Sequence, residues 1–137
     1  MHYLISNALD LNGYEDFAID VSEYSDVSEL YLISDALITD YSSVMFDFGI
    51  LKRPQFFFAY DIEKYANGLR GFYMDYMNDL PGEIITDEFI LAEELRKMDE
   101  YKERYNDKIE RFYDKFCSLE KGNSSKYVGD YIYENSK

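Results

Sequence analysis

The chain has 137 residues with 28 acidic against 14 basic side chains, a formal net charge of −14, 47% hydrophobic residues and a single cysteine. That length suits one domain with a real core and is small for an enzyme holding two substrates. A surface this negative repels nucleic acid and anionic membranes, Cys117 alone excludes an internal disulfide and fits a reducing compartment, and no run of about 18 apolar residues is there to span a membrane.

Met1 to Ile5 reads as a strand, and it opens with neither cap nor polar lead-in, as an excised domain would. The residues show neither a signal-peptide n-region nor a cleavage site, so no signal peptide is expected. Asn12-Gly13 marks a turn, and Phe17 to Asp20 reads as a second short strand. Ser25-Asp26 starts a helix with Val27, Leu30, Tyr31 and Ser34 along one side. Ala36 to Thr39 is a short β-branched run of the kind buried parallel strands use, and it stops at Asp40-Tyr41-Ser42-Ser43. From Val44 the period changes, with Val44, Phe48 and Leu51 on one helical face. Lys52-Arg53-Pro54 ends that helix, because the residue before proline avoids the helical region.

Gln55 to Ala59 is the next buried strand. Tyr60 to Gly82 is irregular, broken at Asn67-Gly68 and Arg70-Gly71 and turning at Leu80-Pro81-Gly82; a loop this long is expected to order around a ligand or a partner domain. Glu83 to Thr86 can add a strand at the sheet edge. From Asp87 the pattern is helical: Leu91, Leu95 and Met98 form one stripe, and Tyr105, Ile109, Phe112 and Phe116 another. Gly122 to Ser125 interrupts it before a last helix carrying Tyr127, Val128, Tyr131 and Ile132. The expected fold is α/β: a Rossmann-like parallel sheet with helices on both faces plus a C-terminal helical tail. One domain, 1–137, is expected, with an α/β core over 1–86 and the tail over 87–137.

The chemistry concentrates where the Ala36 strand meets the Val44 helix. Such a turn lies beyond a strand's carboxyl end, where open α/β sheets bind ligands, and free helix amides suit a phosphate. The plainer reading is that Asp40, Ser42 and Ser43 only cap a helix. Two adjacent hydroxyls exceed what one cap needs, and Asp47, five residues after Ser42, is placed to accept hydrogen bonds from a ribose. Arg70, beside Gly71, is either a solvated arginine or a bidentate diphosphate ligand. His2, the one histidine, is either incidental or at the ligand edge of the sheet. Tyr41 and Tyr60 follow strands at that edge, whereas the tyrosines of the tail fall at helical spacing and read as core or interdomain contacts. Cys117 reads as packed rather than reactive. No metal-ligand spacing, Walker loop or dinucleotide fingerprint is present, so no metal or cofactor is expected.

Leu30 to Phe57, LYLISDALITDYSSVMFDFGILKRPQFF, resembles the carboxyl-terminal part of the CDP-glycerol glycerophosphotransferase family, the teichoic-acid primases and polymerases. The similarity runs on through Phe58-Ala59-Tyr60-Asp61, Leu69-Arg70-Gly71-Phe72-Tyr73 and Leu80-Pro81-Gly82, and back to Met1-His2-Tyr3. It implies one half of a GT-B-type transferase that moves glycerol phosphate from CDP-glycerol to a poly(glycerol phosphate) acceptor. That acceptor would be held by an amino-terminal domain absent from these residues. It further implies Thr39, Asp40, Ser42, Ser43 and Arg70 as donor-phosphate ligands, Asp47 as the ribose ligand and His2 as a catalytic-site histidine. The enzyme would be cytoplasmic, peripheral on the inner face of the cell membrane, and this chain alone inactive. Two alternatives stand beside it: a receiver-type signalling domain with Asp40 as phospho-acceptor, or the domain of another GT-B nucleotide-sugar transferase.

Overall fold

The computed structural model describes residues 11–60, 62 and 74–136. The expected Met1–Ile5 strand and most of the Tyr60–Gly82 loop lie outside the described residues, as do His2 and Arg70. The chain divides into two compact units, Met1–Ile33 and Ser34–Lys137, a boundary different from the one drawn from periodicity at Thr86.

In the first unit the described chain is a succession of turns followed by helix α1 (Val27–Ile33). The strand expected over Phe17 to Asp20 does not form. The amides of Phe17 and Ala18 both donate to the Tyr14 carbonyl, at 2.9 and 2.7 Å, so the segment begins as a turn and offers no ladder. Helix α1 begins where expected. Asp26 Oδ1 accepts from the Ser28 amide at 2.8 Å, and Glu29 takes the Tyr24 hydroxyl.

The second unit is built on a three-stranded parallel sheet in the order β1 (Leu37–Thr39), β2 (Gln55–Phe58), β3 (Ile84–Ile85). Leu37 pairs with Gln55, Thr39 with Phe57, and Phe57 in turn with Ile84. Helix α2 (Val44–Gly49) connects β1 to β2, and α3 (Tyr76–Asp79) precedes β3. Then follow α4 (Glu88–Arg96), α5 (Met98–Phe112), a π-helical turn (Tyr113–Cys117) and α6 (Ser124–Asn135).

Strand β2 explains how the helices are placed. Successive side chains point to opposite faces, and both Phe56 and Phe57 are fully buried, so each face needs its own cover. Phe57 packs with Met45, Tyr76, Leu80, Phe112 and Cys117, under α2, α3 and the end of α5. Phe56 packs with Ile85 and Tyr101, flanked by Leu91, Leu95, Met98 and Tyr105 from α4 and α5. Each buried phenylalanine contributes about 1.5–3 kcal/mol. The sheet is therefore parallel with helices on both faces, as the alternation of elements predicts. Helix α5 is shared: its first half serves the Phe56 core and its second half the Phe57 core. The stripe of Tyr105, Ile109, Phe112 and Phe116 is thus divided between the two, and α4 and α5 belong to the same unit as the sheet.

The strands' amino-terminal ends are closed by Tyr101. Its hydroxyl donates to the Gln55 carbonyl at 3.0 Å and accepts from the Glu83 amide at 2.8 Å. Gly82 sits so close to both Gln55 O and the Tyr101 hydroxyl that a Cβ there would collide with them. After α2, Lys52 takes the left-handed conformation at φ 53° and turns the chain toward Pro54. Its ammonium pairs with Glu110 and lies 4.0 Å from the Tyr113 ring centre. Helix α6 follows the expected Gly122 break, and its Tyr127, Tyr131 and Tyr133 are exposed.

Candidate functional site

At the opposite edge of the sheet, the chain leaves β1 after Thr39, half-buried and in register with Phe57. The Asp40 carboxylate folds forward so that Oδ1 accepts from the Ser42 amide at 3.1 Å, the side-chain-to-backbone turn that Asp favours. The Asp40 carbonyl accepts from the Tyr76 hydroxyl at 2.7 Å. Ser42 Oγ lies 3.5 Å from the Val44 amide, at the limit of a hydrogen bond. Gln55, buried at the start of β2, donates from Nε2 to the Met45 carbonyl at 3.2 Å and ties the first turn of α2 to the sheet.

Ser43 behaves differently. It occupies the N-cap position of α2 with helical φ −64° and ψ −9°, and its side chain makes no capping bond. An N-cap that protects the helix end has extended backbone and a side-chain oxygen over a later amide. Asp87 at the start of α4 has this form: φ is −115°, and Oδ1 accepts from the Phe89 and Ile90 amides at 2.8 and 3.1 Å. So the capping reading holds in part for Asp40 and Ser42 and fails for Ser43, whose exposed hydroxyl has no hydrogen bond among the described residues.

Asp47 is exposed on α2, with Met45 and Phe48 to either side of it buried. Its carboxylate contributes to the Cys117 thiol, whose pKa is raised first by burial and then by that charge. Cys117 is buried, with Sγ 3.4 Å from the Phe46 carbonyl, and is a packed thiol as expected. Of the two edge tyrosines, Tyr41 is half-buried and packs its ring 5.8 Å from that of Tyr76. Tyr60 is 72% exposed beyond β2 and is the one open to a ligand.

The structure thus brings Thr39, Asp40, Ser42, Ser43 and Asp47 onto one strand–turn–helix segment. Sequence reasoning missed Tyr76, which lies in an aromatic stretch without period. One signal for it is Asp75, whose side chain accepts from the Asn78 amide at 3.3 Å and caps α3. Among the described residues no three His, Cys, Asp or Glu side chains are grouped to hold a metal. No described helix is long and apolar enough to cross a membrane.

The family model for CDP-glycerol:poly(glycerophosphate) glycerophosphotransferases matches residues 1–134. The chain belongs to this family. It is 68% identical over all 137 of its residues to a teichoic acid poly(glycerol phosphate) polymerase of Staphylococcus epidermidis, and covers 19% of that protein. It is 53% identical over 134 residues to a teichoic acid glycerol-phosphate transferase of Staphylococcus aureus, 34% of which it covers. Among solved structures, a variant of the wall teichoic acid polymerase TagF soaked with CDPG superposes with a TM-score of 0.88 at 68% identity. The match covers 98% of this chain and 34% of that one. The chain therefore spans a fifth to a third of the length of these relatives. Membership of the glycerophosphotransferase family leaves the receiver-domain alternative without support, and the Asp40 carboxylate is engaged with the Ser42 amide.

Proposed function

We propose that this chain is the donor-binding part of a glycerophosphotransferase that moves glycerol phosphate from CDP-glycerol to a growing poly(glycerol phosphate) chain and releases CMP. The observation that carries the reading is Ser43. A hydroxyl stands at the carboxyl edge of a parallel sheet, uncommitted to the helix it precedes, in a family whose donor carries a diphosphate. Where the net charge is −14, attraction for that diphosphate must be local. The Ser42 amide is taken by Asp40, and a second carboxylate contact would repel the donor. Asp40 therefore shapes the turn, while the Ser43 hydroxyl and amide and the Ser42 and Thr39 hydroxyls face the phosphates. Asp47 takes the ribose hydroxyls. Arg70 supplies the countercharge and His2 the catalytic-site imidazole.

In the reaction, an acceptor hydroxyl attacks the β-phosphorus in line, the phosphoanhydride bond breaks, and CMP leaves. Such a site works by positioning and charge neutralisation. The acceptor and the residue that receives its proton belong to a second domain, with which this one forms a GT-B-type enzyme. That enzyme lies at the inner face of the cell membrane, where it meets its polymer.

Calorimetric titration with CDP-glycerol, CDP-ribitol, CMP and UDP-glucose tests the reading. CDP-glycerol should bind about tenfold or more tighter than CMP, and UDP-glucose more weakly than either. Equal affinity for all four would overturn it. The chain alone should bind without turnover, and CMP release with acceptor present would place the whole catalytic machinery within these residues.

A further inference from the structure

We propose that Tyr76 is a positioning residue of the donor site, holding the turn that presents Ser43. The inference rests on the donor-site reading above. Tyr76 is 3% exposed, and its hydroxyl donates to the Asp40 carbonyl at 2.7 Å from a helix 36 residues further along the chain. Its ring sits 5.8 Å from Tyr41 and 6.3 Å from Phe57, so the phenol is braced by the turn on one side and by the sheet on the other. Because the peptide group is planar, fixing the Asp40 carbonyl fixes the Asp40–Tyr41 peptide plane and the direction in which the chain enters Ser42 and Ser43. Asp40 is then held twice, by its carbonyl from Tyr76 and by its carboxylate from the Ser42 amide.

Helix α3 has its own anchors. Asp75 caps its start, and Asp79 near its end takes the Lys115 ammonium at 2.7 and 2.8 Å. The hydroxyl therefore reaches the turn from an element fixed to the π-helical turn that carries Cys117. Tyr101 provides the contrast. It too donates a hydroxyl to a backbone carbonyl, that of Gln55 in β2, at the other edge of the sheet, away from the proposed ligand.

Calorimetric titration of CDP-glycerol and CMP into the Tyr76→Phe, Tyr101→Phe and Ser43→Ala proteins decides the matter, with melting curves to confirm folding. Tyr76→Phe keeps the ring and should raise the Kd for CDP-glycerol about fivefold, the scale of one net hydrogen bond, while the Kd for CMP rises less. Tyr101→Phe should lower Tm and leave the donor Kd unchanged. Asp75→Ala, which loosens α3 from outside the core, should raise the donor Kd in the same direction by less. An unchanged donor Kd in Tyr76→Phe, with a raised one in Ser43→Ala, overturns the role of Tyr76 alone. So does an equal rise in Tyr76→Phe and Tyr101→Phe, which marks general loosening. An unchanged donor Kd in Ser43→Ala sinks the donor-site reading itself.

Discussion

The two edges of the sheet are finished in opposite ways. At the amino-terminal edge, Tyr101 bridges Gln55 and Glu83 with both halves of its hydroxyl, Gly82 leaves no room for a Cβ, and Gln55, Leu80 and Pro81 are buried around them. At the carboxyl edge, the turn after β1 is held from beneath by Tyr76 and carries on its surface a serine without a capping bond and an exposed Asp47. Backbone polar groups are costly to bury unpaired, and the Tyr101 hydroxyl satisfies two of them at the closed edge, although the buried Gln55 Oε1 there has no partner among the described residues. An open edge can leave a few for a ligand. The first arrangement stabilises the fold, and the second is where we propose that the donor binds.

Changes at the closed edge should therefore cost stability and spare binding. Gly82→Ala has the largest expected effect, because its methyl meets backbone at Gln55 and cannot be relieved by a rotamer change. A loss of about 3 kcal/mol is expected, read by urea denaturation. Normal stability would show that Gly82 has slack this edge does not otherwise display.

Tyr101→Phe should follow at about 2 kcal/mol, since it strands one buried acceptor and one donor. It also carries a pH signature. Burial pushes the Tyr101 phenol well above the ordinary value of 10.0, and burial with the Glu83 hydrogen bond pushes Tyr105 up to about 12. Above pH 10.0 the unfolded chain releases protons that the folded one keeps. Stability present in full below that pH should thus fall as pH rises toward and beyond 12. Melting curves between these limits should slope downward in the wild type and less so in Tyr101→Phe. A flat profile would contradict the buried phenols.

Smaller effects separate two helix starts at the open edge. Asp87→Ala should cost about 1 kcal/mol, because it removes a cap made to two amides. Ser43→Ala should cost less than about 0.5 kcal/mol, because no cap is lost. Equal losses measured by thermal melting would mean that Ser43 caps α2 in solution.

Much of this was legible in the residues. The strands at Leu37, Gln55 and Ile84 and the helices from Val44 and Asp87 follow from runs of two distinct periods, and Asp87 announces its helix by type and place. Phe17 to Asp20 misled because a short apolar run is a local signal, whereas a strand exists only by pairing; Phe17 and Ile19 are 90% and 84% exposed. The turn at Asp40 to Ser43 was found, but not the division of labour within it. Hydroxyl-rich turns look alike in sequence, and only backbone angles tell a cap from a free side chain. Tyr76 and Tyr101 escaped because each acts through one hydroxyl on a distant carbonyl, a contact that leaves no periodic trace.

The central claim is that Ser43 is held free for the donor's diphosphate, and calorimetric titration of CDP-glycerol and CMP into Ser43→Ala and Asp47→Asn tests it most directly. Ser43→Ala should weaken CDP-glycerol by roughly 1–3 kcal/mol, weaken CMP less, and melt with the wild type. Asp47→Asn should weaken both ligands about equally, as a ribose contact would. A Ser43→Ala protein that binds CDP-glycerol as well as the wild type does, while melting earlier, would contradict the account and return this turn to a helix cap.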